Sequence, residues 1–471
     1  MQDSKTPILF PIEIINRELD YKLFLACMCL KKSNRVFVGQ HDAIFRLTKY
    51  LRGGVYIGKN IFREEWPFSN IERYMAIKKN GFVLVHLDEE GAVYYGMDEG
   101  WKSCLSRRLD PRVLSKDDFI CTWGNYQNAY YRSLTPACSE HIRTVGYPKF
   151  DLYKPPFRDY FQPKADELKS KYGDFILVNT NFVYANYGLG PTKIFTSYFG
   201  YLINDLTARK QYLKRWSLEN KIFADFIDLI NILSLEFPNT NIIVRPHPCE
   251  DSRMYRTIFD GVRNIKVVHE GSVVPWILAS KTLIHNGCTT AIEAYFLGAN
   301  IISYKPVSDP QYGHVLSNQV GRECVKQEEV LLAVKEFLTQ KESKTKVLSK
   351  DWRGLFLNEL IDNFNTDNGL KNFIELVLEA DRLSGRHYMS SSLLIHALDE
   401  FTYQATQGVK KLVRPFLKTK QDEYRFLNNP NMYVPFQSAD IQARLKLIEN
   451  ILKLKISVNY HGSELFSLSL R

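Results

Sequence analysis

The sequence lacks a hydrophobic run long enough to cross a membrane. No apolar stretch reaches the roughly eighteen residues that a spanning helix needs. The apolar run at 8–12 is short and is soon followed by Glu13, Arg17 and Glu18, which is unlike a signal peptide. These two absences predict a cytoplasmic protein.

Paired cysteines and several familiar motifs are missing as well. The eight cysteines stand at positions 27, 29, 104, 121, 138, 249, 288 and 324, and no two form a CxxC pair. This spacing in a long chain argues against a disulfide framework or a zinc site and predicts reduced thiols in the core. The absence of a Walker lysine motif and of a clean GxGxxG argues against a P-loop NTPase and a dinucleotide enzyme. No nucleic-acid-binding motif is present.

The composition is that of an ordinary globular protein with an excess of positive charge. The chain has 471 residues, 45% of them hydrophobic and 24% charged, which is enough for two domains and a helical appendage. A net charge of +10 suits an anionic partner such as a nucleotide, an anionic polysaccharide, nucleic acid or a membrane surface. It is equally compatible with a generally basic, solvated surface.

Short apolar runs alternate with segments of helical periodicity, which predicts βαβ units and parallel sheets. The predicted strands are 7–15, 35–39, 54–57, 81–87, 118–124, 142–148, 175–178, 242–248, 265–268, 282–284 and 301–304. A linker rich in proline, with Pro148, Pro155, Pro156 and Pro163, separates the two halves. We therefore predict an N-terminal domain at 1–155, a C-terminal domain at 165–320 and a helical extension at 321–471 that packs on both.

The predicted extension carries basic clusters at 341–350 and 410–420 and ends in an amphipathic helix at 441–454. The clusters indicate either a membrane-surface patch or a solvated helix face.

Polar residues follow several strands of the second domain. Arg245 and His247 stand in the turn Arg-Pro-His-Pro, and Asn179 and His285 directly follow two other predicted strands. Ligands of open parallel sheets bind beyond the carboxyl ends of the strands. A histidine held between two prolines can donate a hydrogen bond to a phosphate or act as an acid on a leaving group. These side chains predict one wall of an anion pocket.

The segment after His285 predicts the opposite wall. Gly287 permits a tight turn, and Thr289 and Thr290 stand at the start of a predicted helix, where backbone N–H groups favour a phosphate. The pattern from Thr290 to Glu293 is also a capping box, Ser/Thr-x-x-Glu. Glu293 is therefore either a helix cap or a ribose ligand.

Three consecutive carboxylates follow the fourth predicted strand. Asp88, Glu89 and Glu90 precede Gly91 at a strand end. Repulsion among them would raise the pKa of at least one carboxyl group, which suits proton transfer. The alternative is a solvated acidic turn.

Taken together, these motifs resemble those of bacterial GT-B glycosyltransferases. Glu89-Glu90-Gly91 is similar to the Asp/Glu-Asp/Glu-Gly motif of the polysialyltransferases, His247-Pro248 to their His-Pro motif, and Cys288-Thr289-Thr290 to their Ser-Ser/Thr pair. Longer segments resemble the bacterial surface carbohydrate biosynthesis proteins of capsule and lipopolysaccharide. These are PIEIINRELDYKLFLA (11–26), LDEEG (87–91), VGYPKFD (145–151), IVRPHPCED (243–251), EGSVVPWILAS (270–280) and IHNGCTTAIEAYFLGA (284–299). The resemblance spans about residues 7–310.

The resemblance implies a GT-B fold, with two Rossmann-like domains facing a cleft, and a glycosyltransferase that uses a CMP-activated donor. The donor sugar would be a 2-keto-3-deoxy acid, either Kdo or a nonulosonic acid such as pseudaminic, legionaminic or sialic acid. The acceptor would be a capsule or lipopolysaccharide glycan, free or lipid-linked, with a peripheral contact at the inner face of the inner membrane. We expect no metal and no cofactor, because a CMP-sugar carries a single phosphate.

The same resemblance assigns roles to particular residues. Glu90 would be the general base, while Glu89 and Asp88 are alternatives because the acidic run is one residue longer than in the family. His247, Thr289 and Thr290 would hold the phosphate, and Cys288 departs from the family serine. Arg17 and Arg245 are candidates for the sugar carboxylate or the phosphate on charge alone.

Three other functions remain open from the sequence. The chain could be a phosphotransferase that uses CDP-glycerol or CDP-ribitol, a UDP-sugar 2-epimerase of the same fold, or a glycan-binding scaffold without catalysis. An inverting and a retaining mechanism are both compatible with the acidic residues.

Overall fold

The computed structural model describes residues 6–31, 35–59, 71–91, 98–309, 311–312, 316–339, 359–364, 366–384 and 435–471. Contacts divide the chain into two units. The first consists of residues 1–89, 109–149 and 366–471, and the second of 90–108 and 150–365. This division differs from the predicted domains at two places, since 90–108 group with the second unit and 366–471 with the first.

The first unit is built on a sheet whose central strands are completely buried. Its parallel strands are β1 (Pro7–Ile12), β2 (Arg35–Gln40), β3 (Gly54–Gly58), β4 (Phe82–Leu87), β5 (Phe119–Thr122) and β6 (Ile142–Thr144). They lie in the order β2-β1-β3-β4-β5-β6. Continuous apolar runs are typical of parallel strands covered on both faces, and this is why the sequence predicts them well. The order reverses between β1 and β3, the point where such sheets bind ligands.

Two further strands extend the first sheet, and the sequence does not predict them. β13 (Ile456–Tyr460) and β14 (Leu465–Leu470) form a hairpin, and β14 runs antiparallel to β2. The close approach depends on Gly39, where an added Cβ would meet Leu465 at 2.8 Å and the Glu464 carbonyl oxygen at 2.9 Å. The segment predicted as a helical extension therefore ends in strands that complete the N-terminal sheet.

The second unit is built on a second parallel sheet. Its strands are β7 (Phe175–Asn179), β8 (Asn241–Arg245), β9 (Ile265–Val267), β10 (Thr282–His285), β11 (Ile301–Tyr304) and β12 (Arg322–Cys324). Their order is β12-β11-β10-β7-β8-β9. This is the order of a Rossmann fold, with the reversal between β7 and β10. The predicted fold class, α/β with two Rossmann-like sheets, is confirmed.

Helices connect the strands in both units. In the first unit they are α1 (Ile15–Leu30), α2 (His41–Leu47), α3 (Ile71–Lys79), α5 (Asn125–Leu134), α13 (Gly369–Leu383) and α14 (Ser438–Leu452), besides α6 (Pro148–Asp151) at the boundary. In the second they are α4 (Asp98–Arg108), α7 (Gln162–Tyr172), α8 (Leu206–Glu236), α9 (Ser252–Ile258), α10 (Val273–Ala279), α11 (Thr290–Phe296) and α12 (Gln327–Thr339).

The longest of these helices, α8, shows how an apolar stripe fixes a helix on its sheet. Phe226, Leu229, Ile230 and Leu233 recur at helical spacing and are completely buried in the core of the second unit. The helix begins after Asp205, whose carboxylate accepts hydrogen bonds from the backbone N–H of Thr207 and Ala208.

The predicted final helix at 441–454 is confirmed as α14. The basic clusters at 341–350 and 410–420 lie outside the described residues. Within the described ranges, no helix combines the length and apolar character that crossing a bilayer requires.

Candidate functional site

The reversal of strand order in the second sheet brings the predicted anion-binding residues together. In the register of the sheet, Asn179 at the end of β7 pairs with Arg245 of β8 on one side and with His285 of β10 on the other. The loops that follow these three strands therefore start side by side. This is the place where the sequence predicts a pocket for a nucleotide phosphate.

A hydrogen bond joins the end of β7 to the start of α11, the helix that follows β10. The Asn179 side-chain amide donates to Oγ1 of Thr290 over 3.1 Å, and that hydroxyl lies 3.0 Å from Sγ of Cys288. Asn179 is only 3% exposed, and within the described parts of the chain its carbonyl oxygen Oδ1 has no hydrogen-bond partner. A buried acceptor of this kind is costly unless a ligand or water donor meets it.

The loop after β10 is held in a tight, defined turn. Gly287 has a φ of 60°, in the left-handed region that glycine adopts without strain. Its N–H donates to Asn318 over 2.7 Å, and its carbonyl accepts from Asn181 over 3.3 Å. The Asn286 amide also donates to the Tyr304 carbonyl over 2.7 Å. Thr289 and Thr290 are thus presented from a fixed backbone.

The predicted capping box is wrong in detail. The helix α11 begins at Thr290, so Thr289 occupies the cap position, and its side chain makes no capping hydrogen bond. The Thr290 hydroxyl is instead engaged with Asn179 and Cys288. Glu293 is 8% exposed on the same helix, which leaves the proposed ribose contact as a prediction.

The His-Pro turn is organised by a buried carboxylate. Glu250 accepts hydrogen bonds from the His247 backbone N–H (3.0 Å), the Thr180 hydroxyl (2.7 Å) and the Tyr255 hydroxyl (2.5 Å). Burial raises the pKa of Glu250 above its usual range, and these donors partly oppose that shift. Glu250 and Thr180, whose importance the sequence does not reveal, therefore fix the backbone that carries His247.

The ring of His247 has a defined tautomer in its neutral form. Nδ1 accepts a hydrogen bond from the Cys249 backbone N–H over 3.2 Å. The proton of a neutral ring then resides on Nε2. The half-buried His247 thus has the donor that the predicted phosphate contact requires.

A loop that contains Tyr184, Tyr187 and Gly188 is held against this turn by backbone hydrogen bonds. The Gly188 N–H donates to the Cys249 carbonyl over 2.8 Å, and Tyr187 forms a β-bridge with Glu250. The Tyr184 N–H donates to Glu219 of α8 over 2.6 Å. Burial raises the pKa of Glu219 to about 7. The loop is therefore anchored at both ends and belongs to the candidate site.

Two of the predicted ligand residues have structural partners instead. Both terminal nitrogens of Arg245 donate to backbone carbonyls, to Glu270 over 2.8 Å and to Gly271 over 3.0 Å, and the guanidinium lies 4.9 Å from the Trp276 ring centroid. Burial lowers the pKa of Arg245 to about 10. Arg245 thus secures the loop before α10, and its predicted contact with a carboxylate or phosphate stays a prediction.

His285 is the second predicted ligand residue that has a structural partner. Its side chain is completely buried, and its Nε2 lies 2.9 Å from the Ser303 hydroxyl. Burial lowers the pKa of His285 to about 3, so the ring is neutral at physiological pH. It supports the strand end beneath the loop that carries Thr290.

The first two residues of the acidic run, Asp88 and Glu89, are buried and do not lie in a solvated turn. Asp88 is 6% exposed and Glu89 8%. Glu89 accepts hydrogen bonds from the hydroxyls of Tyr21 and Tyr147, the latter over 3.1 Å, and pairs with Lys22 over 2.9 Å. The Asp88 carbonyl accepts from the indole of Trp123 over 2.8 Å. The backbone at this strand end is therefore fixed from several directions.

The partners of Glu89 belong to a larger ionic network at the reversal point of the first sheet. Lys22 also pairs with Glu18 over 2.8 Å, and Lys59, directly after β3, pairs with both Glu18 and Glu13 over 2.9 Å. Burial alone would raise the pKa of Glu18, but Lys22 and Lys59 hold that pKa well below its usual range. Charged side chains are thus concentrated where a parallel sheet of this order binds ligands.

Glu90 differs from its two neighbours. It groups with the second unit, its side chain is 34% exposed, and its carboxylate pairs with Arg108 of α4 over 3.1 Å. Among the three predicted acids, Glu90 has the most accessible carboxylate. Arg17, the remaining predicted ligand residue, is half-buried in the first turn of α1.

The sequence did not reveal the residues that form ion pairs and hydrogen bonds with the predicted site residues. Glu18, Tyr21 and Lys22 lie on a buried face of α1 at spacings of three and four. Polar groups on a buried helix face are a signal that could have identified them. Arg108 and Glu219 carry no such signal, because their partners are distant in sequence.

No protein-family model matches the sequence, and no curated protein matches it. Solved structures with a similar arrangement include a UDP-GlcNAc 2-epimerase from Methanocaldococcus jannaschii, with 13% identity, a TM-score of 0.46, and coverage of 79% of this chain and 99% of that one. The wall teichoic acid polymerase TagF gives 14% identity, a TM-score of 0.44, and coverage of 80% and 90%. A UDP-N-acetylglucosamine 2-epimerase from Rickettsia bellii gives 13% identity and a TM-score of 0.44, with coverage of 80% of this chain and 97% of that one. Likeness at this level carries no information about activity.

Proposed function

We propose that the protein is a glycosyltransferase that moves a 2-keto-3-deoxy sugar acid from a CMP-activated donor onto a surface glycan. The observation that carries the proposal is the hydrogen bond between Asn179 and Thr290 across the reversal of the second sheet, beside the ordered His247 turn. Hydroxyl and imidazole donors gathered at such a point suit a nucleotide phosphate. The segments that resemble surface carbohydrate enzymes supply the choice of CMP-sugar as donor.

In the proposed donor site, the chain's own residues stabilise the leaving phosphate. The Nε2–H of His247 and the hydroxyls of Thr289 and Thr290 would donate hydrogen bonds to the phosphate of CMP as the bond to the anomeric carbon breaks. The Oδ1 of Asn179, which has no hydrogen-bond partner among the described residues, would accept from a hydroxyl or amino group of the donor.

In the proposed transfer, Glu90 accepts the proton of the acceptor hydroxyl. The oxygen of that hydroxyl forms the new bond to the anomeric carbon, and CMP departs with the electrons of the broken bond. Glu90 is preferred over Glu89 and Asp88 because its carboxylate is the most exposed of the three. Glu89, enclosed by Lys22, Tyr21 and Tyr147, is better suited to fixing the strand end from which Glu90 projects.

A donor panel tests the proposal. The purified protein is incubated with CMP-Kdo, CMP-linked nonulosonic acids, CDP-glycerol, CDP-ribitol and UDP-GlcNAc, each with and without a glycan acceptor, and release of the nucleotide is measured. Acceptor-dependent release of CMP from a CMP-sugar is the expected result. Turnover of the CDP-polyols alone identifies a phosphotransferase, and acceptor-independent conversion of UDP-GlcNAc identifies an epimerase. Either result overturns the proposal.

The proposed reaction needs no resident metal, because a single phosphate leaves and the donors named above stabilise its charge by hydrogen bonds. We therefore expect saturating EDTA to leave the transfer rate unchanged, with a metal-dependent nucleotidyltransferase assayed in parallel as a control. A loss of activity that added Mg²⁺ or Mn²⁺ restores would contradict this part of the proposal.

A further inference from the structure

The second unit exposes a concentrated set of large apolar side chains around the start of α8. Between residues 202 and 213, Leu202 is 41% exposed, Ile203 60%, Leu206 69% and Leu213 39%. Such residues occur singly on most protein surfaces, whereas a contiguous group marks an interaction site. We call these four residues the α8 surface.

Helical geometry places the two leucines of the α8 surface on one face of the helix. Leu206 and Leu213 are seven residues apart and lie on one face of the helix, with Arg209 and Lys210 between them. The Arg209 guanidinium donates to the Ile203 carbonyl over 3.0 Å, which ties the preceding turn to this face. Leu202 and Ile203 lie in the turn that directly precedes the helix.

The opposite face of the same helical segment is firmly packed, so the exposure does not arise from a loose terminus. Tyr212 is 8% exposed, its hydroxyl donates to the Ile194 carbonyl over 2.5 Å, and its ring packs against Tyr184 and Tyr201. Asp205 caps the helix through two backbone N–H groups. The apolar residues are therefore presented on a fixed support.

The charges around the α8 surface are mainly positive. Arg209 and Lys210 lie between the leucines, and Lys214 flanks them with its side chain 52% exposed and paired with Asp309 over 2.9 Å. Long basic side chains can place their charge at a lipid headgroup while their aliphatic stems lie along the apolar surface. Exposed leucines combined with basic side chains whose charge can reach the headgroups suit a helix that lies in a membrane interface.

We propose that the α8 surface binds an anionic lipid surface, with Leu206 and Leu213 in the acyl boundary and Arg209 and Lys210 at the headgroups. The complementarity of charge favours an anionic bilayer over a second copy of this chain, whose identical surface would bring like charges together. This inference concerns a surface that the proposed transfer reaction does not use.

Flotation of the full-length protein with vesicles tests the inference in the absence of any sugar donor. Vesicles of phosphatidylcholine are compared with vesicles that contain phosphatidylglycerol, at low and high salt. We expect binding to the anionic vesicles that weakens with salt. In L206Q/L213Q the partition coefficient should fall by at least about tenfold, because two apolar side chains no longer enter the bilayer. In R209Q/K210Q the preference for anionic lipid should shrink.

Leu235→Gln is the matched control. Leu235 is 71% exposed at the far end of the same helix, so this variant should bind vesicles like the wild type and should match the other variants in thermal stability. Equal binding by L206Q/L213Q and the wild type would overturn the inference, and so would equal binding to neutral and anionic vesicles. Loss of self-association rather than of vesicle binding in L206Q/L213Q would assign the surface to a second copy of the chain.

Discussion

The Nζ of Lys22 lies 2.9 Å from the carboxylate of Glu89, and the side chains of both residues are almost completely buried. This pair connects α1 with the end of β4. It explains how Glu89, part of an acidic run predicted from sequence, becomes a fixed part of the first unit. Glu18, the second carboxylate that pairs with Lys22, extends the network along α1.

Replacing Lys22 should destabilise the protein strongly. Lys22→Met removes the cation between Glu18 and Glu89, and breaking a buried ion pair in this way costs about 3–5 kcal/mol. Chemical denaturation at pH 7 measures the loss. The exposed Lys49, replaced in the same way, should change stability by less than about 0.5 kcal/mol. Adding Glu89→Gln to Lys22→Met should recover part of the loss, and an additive double variant would argue against the pairing.

Glu89 and Glu90 should separate into a structural and a catalytic residue. Glu90→Gln should lower kcat by about 10²–10⁴-fold, as expected for loss of a general base, with an unchanged melting temperature. Glu89→Gln should lower stability by about 1–3 kcal/mol, because Lys22 then loses one of its two carboxylate partners. Transfer at an unchanged rate by Glu90→Gln would remove that residue from the mechanism.

The hydroxyl of Thr290 should determine the affinity for the nucleotide. In Thr290→Val the shape is kept, but the donor and its link to Asn179 are lost, so the Kd for CMP should rise by about tenfold or more. Thr290→Ser keeps the hydroxyl and should bind nearly as the wild type does. Isothermal titration calorimetry gives both values. Identical affinities of the valine and serine variants would place the phosphate elsewhere.

Glu219 should make the stability of the second unit depend on pH near neutrality. Burial raises the pKa of Glu219 to about 7 in the folded protein, whereas a glutamate in an unfolded chain has a pKa of about 4.3. Between these values the folded state binds more protons, so stability falls as pH rises through this window, by about 1–3 kcal/mol. Glu219→Gln should remove this slope, while Glu236→Gln, on the exposed end of the same helix, should keep it. Parallel slopes in all three proteins would contradict the assignment.

Much of the fold follows from local patterns. The strands that end at Arg245 and His285 were predictable because parallel strands buried on both faces read as unbroken apolar runs. The hairpin of β13 and β14 was not, because its place beside β2 depends on a contact between Gly39 and Leu465 that no local pattern records. The gathering of Asn179 and Thr290 was expected from strand ends alone. The buried, structural contacts of Arg245 and Glu89 were not expected, because their partners come from segments that are distant in the sequence.

A crystal structure of the protein with CMP tests the central claim most directly. The account predicts that the phosphate of CMP lies within hydrogen-bond distance of Nε2 of His247 and of the hydroxyls of Thr289 and Thr290, next to the Asn179 side chain. A phosphate bound at any other place would contradict the proposed donor site.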